Sequence, residues 1–326
     1  MRSLLLILAF CAAPGFALAD PLPSWRDGEV KSDIVAFVDA VTEIGGPQYR
    51  APSERIAVFD NDGTLWAEQP AYFQLLFAVD RIAKMAGDDP EIAKSPGLKA
   101  AASGDFKALL KTGKKGLLEV ITVAHSGIDV EAYQAEVALW LKETRHPKTG
   151  KRYDEMIYQP MLELLSYLRD NDFKTFIVSG GGVHFMRVFA EGAYGIPPEQ
   201  VIGSTGEASY LVTDGGPVIM KEPGIAFVDD KEGKPIAIDR IIGRRPILAA
   251  GNSDGDLQMV EWVTAGEGPR LGILVHHTDE AREWAYDRES HIGRLDKALD
   301  MASERDWSLV DMKRDWRVVF PYELAQ

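Results

Sequence analysis

The chain has 326 residues, 46% of them hydrophobic and 26% charged, enough apolar material for a substantial core in one large domain or two smaller ones. Its formal net charge of -14 offers no basic footprint for nucleic acid or for an anionic membrane. With one cysteine, Cys11, it can form no disulfide within itself.

Residues 1–19 carry Arg2, an apolar stretch from Leu4 to Cys11, and small residues Ala17 and Ala19 around Leu18. That is the anatomy of a leader cut after Ala19. The apolar run falls short of the roughly 20 residues of a membrane span, and Pro14 interrupts its far end. Cleavage removes Cys11 and leaves no thiol nucleophile, which fits a periplasmic or secreted protein with no stable membrane anchor.

Beyond the leader, strand-like and helix-like segments alternate without repeats. The run "RIAVFD" predicts a strand, "MLELLSYLRDND" a helix, "FKTFIVSG" a second strand, and "VHFMRVFAEGAYG" one helix closed by Gly195. A strand at "QVIGST", a hairpin through "YLVTDGGPVIM" with a Gly-Gly turn, a helix at "KPIAIDRIIG" and a strand at "PILAAG" follow. "LGILVHH" reads as the last strand. Between the first two strands, residues 68–158 read mainly as helices, in "AYFQLLFAVDRIAKMA", "SGDFKALLKTG", "GLLEVITVAHSG" and "DVEAYQAEVALWLKETR". The expected fold is α/β: a doubly wound, mostly parallel sheet formed by residues 20–67 and 159–326, with a helical cap inserted at 68–158 after the first strand.

Ligands of such sheets bind at the carboxyl ends of the strands. Asp60 and Asp62 follow the first strand, Ser179 and Gly180 the second, and Asn252, Asp254 and Asp256 a later one, while Lys234 opens the helix before it. If these strands are neighbours, the groups meet in one crevice, and the helical insert covers it as a lid. A fixed carboxylate such as Asp60 can attack phosphorus and form an aspartyl-phosphate that water later breaks down. Repulsion between the attacking anion and a phosphate calls for a cation, and magnesium suits a supply of carboxylate oxygens. Asp62 can protonate the leaving oxygen and then take a proton from water. Gly63 permits the turn that brings backbone N–H groups to the phosphate, and Thr64 can fix that loop.

These residues resemble the haloacid dehalogenase superfamily, in particular its phosphatase branch with a helical first-type cap, as in phosphoserine phosphatase-like members. "VFDNDGTLW" matches the first motif of that family, "FIVSGGG" is similar to the second, Lys234 in "GKPIAIDR" to the third-motif lysine, and "GNSDGDLQM" to the acidic fourth. The resemblance implies a magnesium-dependent phosphatase. Asp60 would be nucleophile and metal ligand, and Asp62 the general acid/base that binds the metal through its backbone carbonyl. Ser179 with the N–H of Gly180 would clamp the phosphate, and Lys234 would bridge nucleophile and phosphoryl oxygens. One position departs from the pattern: the fourth motif usually begins Gly-Asp, whereas Gly251 is followed here by Asn252. Asn252 takes the ligand place by position, and Asp256 is the alternative, directly or through water.

Rival readings accompany these roles. Asp60 to Thr64 could be a plain turn, Ser179 a helix cap, and Lys234 an exposed lysine with Lys231 as alternative. His184 and the pair His276–His277 show no metal-ligand spacing and read as structural or surface residues. Trp307 and Trp316 read as packing of the tail. Asp62 points to an alkoxide leaving group, hence a small phosphorylated metabolite; a phosphomutase or a silent exported phosphate-ester-binding protein are the alternatives. Trp66, Tyr72, Phe73, Tyr133 and Trp140 leave phosphocholine open beside phosphoserine, because aromatic faces attract quaternary ammonium groups. The bland reading is that they pack cap helices together.

Overall fold

The β-branched run Ile56–Phe59 is a strand with all four residues buried, as a strand covered on both faces requires. It is the first strand, β1, of a computed structural model that describes residues 20–324; the leader expected at 1–19, with Cys11, lies outside them. The further strands are β2 Ile128–Asp129, β3 Lys174–Gly182, β4 Val201–Thr213, β5 Gly216–Phe227, β6 Leu248–Gly251, β7 Leu271–Thr278, β8 Ala285–Tyr286 and β9 Ser308–Asp311. Along the sheet they stand in the order β2-β5-β4-β3-β1-β6-β7-β8, and β9 pairs with β7. The central pairings β4-β3, β3-β1, β1-β6, β6-β7 and β7-β9 are parallel, whereas β2-β5, β4-β5 and β7-β8 are antiparallel.

Helices cover both faces. On one side Ala57 and Phe59 pack with Ile34 and Val38 of α1 Glu29–Thr42 in one apolar cluster. On the other, Val58 packs in a second cluster with helix residues numbered 237–263. The alternation along β1 thus serves two cores, which is what a doubly wound sheet needs.

Between β1 and β3 come α2 Phe73–Asp88, α3 Pro96–Ala102, α4 Phe106–Lys111, α5 Gly113–Ala124, α6 Val130–Glu143 and α7 Gln159–Asp170. The first four of these share a small core of their own that includes Val79, Ile82, Leu98, Leu109 and Val120. α7 packs under the central strands through Leu164, Leu165 and Leu168, while α5 and α6 lie against the β5 edge. The segment is fastened to the strand ends where the chain leaves and returns: Ala67 donates to Met156 O, and Tyr158 to Leu65 O, at 2.9 and 2.8 Å.

Three expectations are corrected. The helix read over 183–195 is two short helices, α8 Val183–Met186 and α9 Ala190–Tyr194, parted where Phe189 turns out of helical geometry and stacks on Trp66 at 4.4 Å. Gly195 does close it, at φ 68°. The hairpin turns on Asp214-Gly215, with Gly216 at φ 112°, and runs far beyond the quoted stretch, from Val201 to Phe227. Nor is β7 the last strand: β8 and β9 follow, and β9 was hidden in the sequence because only Leu309 and Val310 of its four residues are apolar, flanked by Ser308 and Asp311. The remaining helices are α10 Gly233–Ile242, α11 Leu257–Thr264, α12 Lys297–Glu304 and α13 Met312–Asp315. Trp307 and Trp316 are buried, the latter edge-on to Trp25 at 5.9 Å.

Candidate active site

Parallel register sets the floor of the site. Phe59 pairs with Ile177 and Ala250, so Asp60, Ser179 and Asn252 leave three adjacent strands at neighbouring levels. Lys234, near the start of α10, is almost fully buried and reaches all three strand ends. Its Nζ stands 2.8 Å from Asp60 Oδ1 and 2.6 Å from Asp256 Oδ1, and donates to Val178 O at 2.9 Å. Burial works to lower the pKa of this ammonium, but Asp256 and Asp60 outweigh it and hold the group charged. Lys231, the alternative lysine, is exposed in the preceding loop at φ 52°.

The acids are crowded. Burial, then the charge of Asp256, push Asp60 up to about 8, and burial pushes Asp62 up to about 6. Asp62 Oδ1 accepts from Trp66 Nε1 at 2.8 Å, which aims that carboxylate. Asp256 serves the loop: its Oδ2 accepts from the N–H groups of Asn252 and Ser253, each at 3.0 Å, while Oδ1 faces Lys234. Both oxygens of Asp256 are thus engaged within the protein, and the side-chain oxygen of Asn252 accepts one bond, from Thr64.

Gly63 and Thr64, expected to shape the phosphate loop, are both engaged within the protein. The N–H of Gly63 donates to Trp66 O at 2.8 Å, and Thr64 Oγ1 donates to Asn252 Oδ1 at 3.1 Å, so both residues brace the loop. Gly63 has φ 73°, and a Cβ there would collide with Asn252 and Glu68, so glycine is required twice over. Ser179 is buried and accepts from the N–H of Gly181 at 3.2 Å; Gly180 beside it is exposed.

Residues the sequence did not single out complete the surroundings. Buried Glu68 accepts from Asn252 Nδ2 at 2.7 Å and from the Tyr286 hydroxyl at 2.8 Å through the same oxygen. Burial raises its pKa well above the carboxylate range. His277 Nε2 donates to Gly63 O at 2.8 Å, its Nδ1 lies 3.2 Å from Glu283, and Tyr286 stacks on its ring at 4.3 Å. Asp229 is wholly buried, near Lys234, with neither carboxylate oxygen hydrogen-bonded, and burial pushes it up to about 7. Only Glu68, six residues beyond Asp62, gave any local hint.

Among the described residues no three His, Cys, Asp or Glu side chains converge as a metal cluster. The resemblance would put a metal among one carboxylate oxygen of Asp60, the main-chain carbonyl of Asp62 and the side-chain oxygen of Asn252, all hard donors. Around them Asp60, Asp62, Glu68 and Asp256 set four carboxyl groups against the single ammonium of Lys234. A divalent cation fits that charge deficit.

A family model described as haloacid dehalogenase-like hydrolase matches residues 57–261, more than half of the chain. No curated protein matches it. Among solved structures, a protein of unknown function from Anaerococcus prevotii is 14% identical, with a TM-score of 0.54 over 86% of this chain and 91% of that one. A protein of unknown function from Bordetella pertussis is 16% identical, with a TM-score of 0.48 over 79% of this chain and 99% of the other. A phosphoserine phosphohydrolase-like protein from Francisella tularensis is 17% identical, with a TM-score of 0.40 over 83% and 98%. The first of these supports the fold alone.

Proposed function

The chain belongs to the haloacid dehalogenase-like hydrolases, and from that premise we propose that it is an exported, magnesium-dependent hydrolase of small phosphomonoesters. We assign residues 20–67 and 159–326 to the catalytic core and 68–158 to its cap. The observation that carries the reading is the pairing of Asp60 with buried Lys234 at 2.8 Å, with Asp62 held two residues on by Trp66.

Asp60, the Asp62 carbonyl and Asn252 would hold the magnesium ion, which when bound offsets the negative charge of the nucleophile and the phosphate. Ionised Asp60 attacks phosphorus along the line opposite the leaving oxygen. The bond from phosphorus to the alkoxide oxygen breaks, and Asp62 gives that oxygen its proton. Asp62, now a base, takes a proton from water; the hydroxide attacks phosphorus, the bond to Asp60 breaks, and inorganic phosphate leaves. Lys234 stays between Asp60 and Asp256 and stabilises charge on the transferring group. An acid pushed up to about 6 is suited to both halves of this cycle, because either protonation state is accessible near neutral pH.

The test is release of phosphate from 4-nitrophenyl phosphate by the chain from Asp20, with magnesium and then with chelator. Turnover that needs magnesium and disappears in Asp60→Asn is expected. A folded wild-type protein that releases no phosphate in either condition would overturn the reading in favour of a ligand-binding protein.

A further inference from the structure

Beyond the level of Ser204, β4 leaves β3 and continues with β5 as a hairpin past the carboxyl ends of the sheet. Lys221 of β5 lies opposite Ala208 on one side and opposite Ile128 of β2 on the other. It is buried, yet no carboxylate lies within ion-pair distance of it among the described residues. Its charged neighbour is another cation, Arg81, already paired with Glu136 at 2.6 Å. Its Nζ stands 3.1 Å from His184 Nδ1 and 4.6 Å over the ring of Tyr133. A buried ammonium without an anion is costly, so the arrangement asks for a partner of negative charge.

A second observation is independent of the lysine. The hydroxyl of wholly buried Tyr133 has no hydrogen-bond partner, although the Gln74 amide lies beside it. The same Gln74 accepts from the N–H of Gly182 at 2.7 Å and approaches His125 Nε2 at 2.8 Å. Because His125 Nδ1 faces the carbonyl of Ile121 at 2.6 Å, that ring keeps its proton there and accepts from Gln74. His184 follows the Ser179–Gly182 stretch after a single residue, Val183. The cluster therefore adjoins the expected phosphate clamp, on the side toward the cap. Burial, then Lys221, lower the pKa of His184 to about 4, so the cluster carries one positive charge at neutral pH.

Of the five aromatics that could have received a quaternary ammonium, Tyr72 lies exposed, Phe73 packs on Trp66 and Tyr153, and the other three are occupied. Trp66 stacks on Phe189 at 4.4 Å, Trp140 on Tyr153 at 4.8 Å, and the face of Tyr133 holds the protein's own ammonium. A choline group would meet like charge there.

We propose that Lys221 and Tyr133, with His184, form the leaving-group pocket of this site, and that it selects phosphomonoesters whose alcohol carries a second anionic group such as a carboxylate. The proposal rests on the phosphomonoesterase reading above. The ammonium of Lys221 and the hydroxyl of Tyr133 both donate to that anion, which sets the leaving alcohol beside Asp62.

The experiment compares kcat/KM for 3-phosphoglycerate, 4-nitrophenyl phosphate and choline phosphate in wild type, Lys221→Gln and Lys221→Glu, with circular dichroism melts of each. The expected wild-type result is a preference for 3-phosphoglycerate over choline phosphate of about ten- to a hundred-fold, the range of one charge-assisted hydrogen bond. Lys221→Gln should shrink that ratio through KM, and Lys221→Glu should reverse it. Should either variant fail to fold, the wild-type ratio and competitive inhibition by glycerate against choline still decide. Turnover of 4-nitrophenyl phosphate with no preference between the two charged esters, or with choline phosphate preferred, overturns the pocket alone. No turnover of any ester overturns the phosphomonoesterase reading and the pocket with it.

Discussion

Replacing Asp60 by Asn is expected to abolish turnover and yet stabilise the metal-free protein. The folded carboxyl sits at about 8 against an ordinary value of 3.8, so above pH 4 the unfolded chain has released a proton that the fold still holds. Stability therefore falls as pH rises from about 4 and levels off above about 8. At pH 7 the gap is about three units, and at about 1.4 kcal/mol per unit it sets a ceiling of about 4 kcal/mol. Asn has nearly the same shape and no charge, so it escapes that penalty, in which the attraction of Lys234 is already counted, but its NH2 group beside the Lys234 ammonium takes back part of the gain. A net gain of about 2 kcal/mol is expected at pH 7.5, or about 4 °C in Tm for a chain of this size. At pH 5 the gain should be no more than about a quarter of that, because the gap is then about one unit. Circular dichroism melts in EDTA at the two pH values measure it. If Asp60→Asn melts below wild type at pH 7.5, or gains equally at both, burial and the charge of Asp256 do not raise the carboxyl as described, and the case for a missing divalent charge fails with it.

Lys234→Met leaves Asp60 and Asp256 buried without their cation and should cost about 3–5 kcal/mol, read from the urea midpoint. Asp62→Asn should lower kcat by about 10²- to 10⁴-fold. For an ester whose first step limits turnover, the wild-type rate should decline as pH rises through about 6, where Asp62 loses its proton, and that limb should be missing from the variant's pH profile. Glu68→Leu strands the Nδ2 donor of Asn252 and the Tyr286 hydroxyl. It should cost about 1–3 kcal/mol for each unpaired buried donor, and Mn²⁺ titration followed by electron paramagnetic resonance should show weaker binding.

The centre of the fold was legible because it is built from local signals. Ile56–Phe59 is a continuous apolar run ending in acids, and such a run with a turn behind it has few other uses. The first motif placed Asp60 and Asp62, and the strand endings indicated which residues could meet. What was not legible depends on contacts far along the chain. Phe189 breaks a helical period to reach Trp66, more than a hundred residues earlier. His277 reads as one of a pair in a strand, and nothing nearby announces that it holds the carbonyl of Gly63. Gly63 and Thr64 were placed in the loop, but the sequence does not disclose that Trp66 and Asn252 are the partners that claim their donors. Lys221 sits in an alternating strand whose pattern says only that one face is covered.

The two-residue strand β2 has a mechanical consequence. Besides the two crossings near residues 67 and 158, the cap is bonded to the hairpin, where Gly127 donates to Lys221 O at 2.8 Å and Ile128 pairs with Lys221. It cannot swing about its two covalent crossings without breaking those bonds or drawing the hairpin along. Any displacement of the cap would therefore draw the hairpin along, with Gln74, Tyr133 and Lys221 travelling as one set relative to Asp60, Asp62 and Lys234. Choice of leaving group, as proposed, and breakage of the phosphate bond would then fall to two parts of the chain that these hydrogen bonds hold in register.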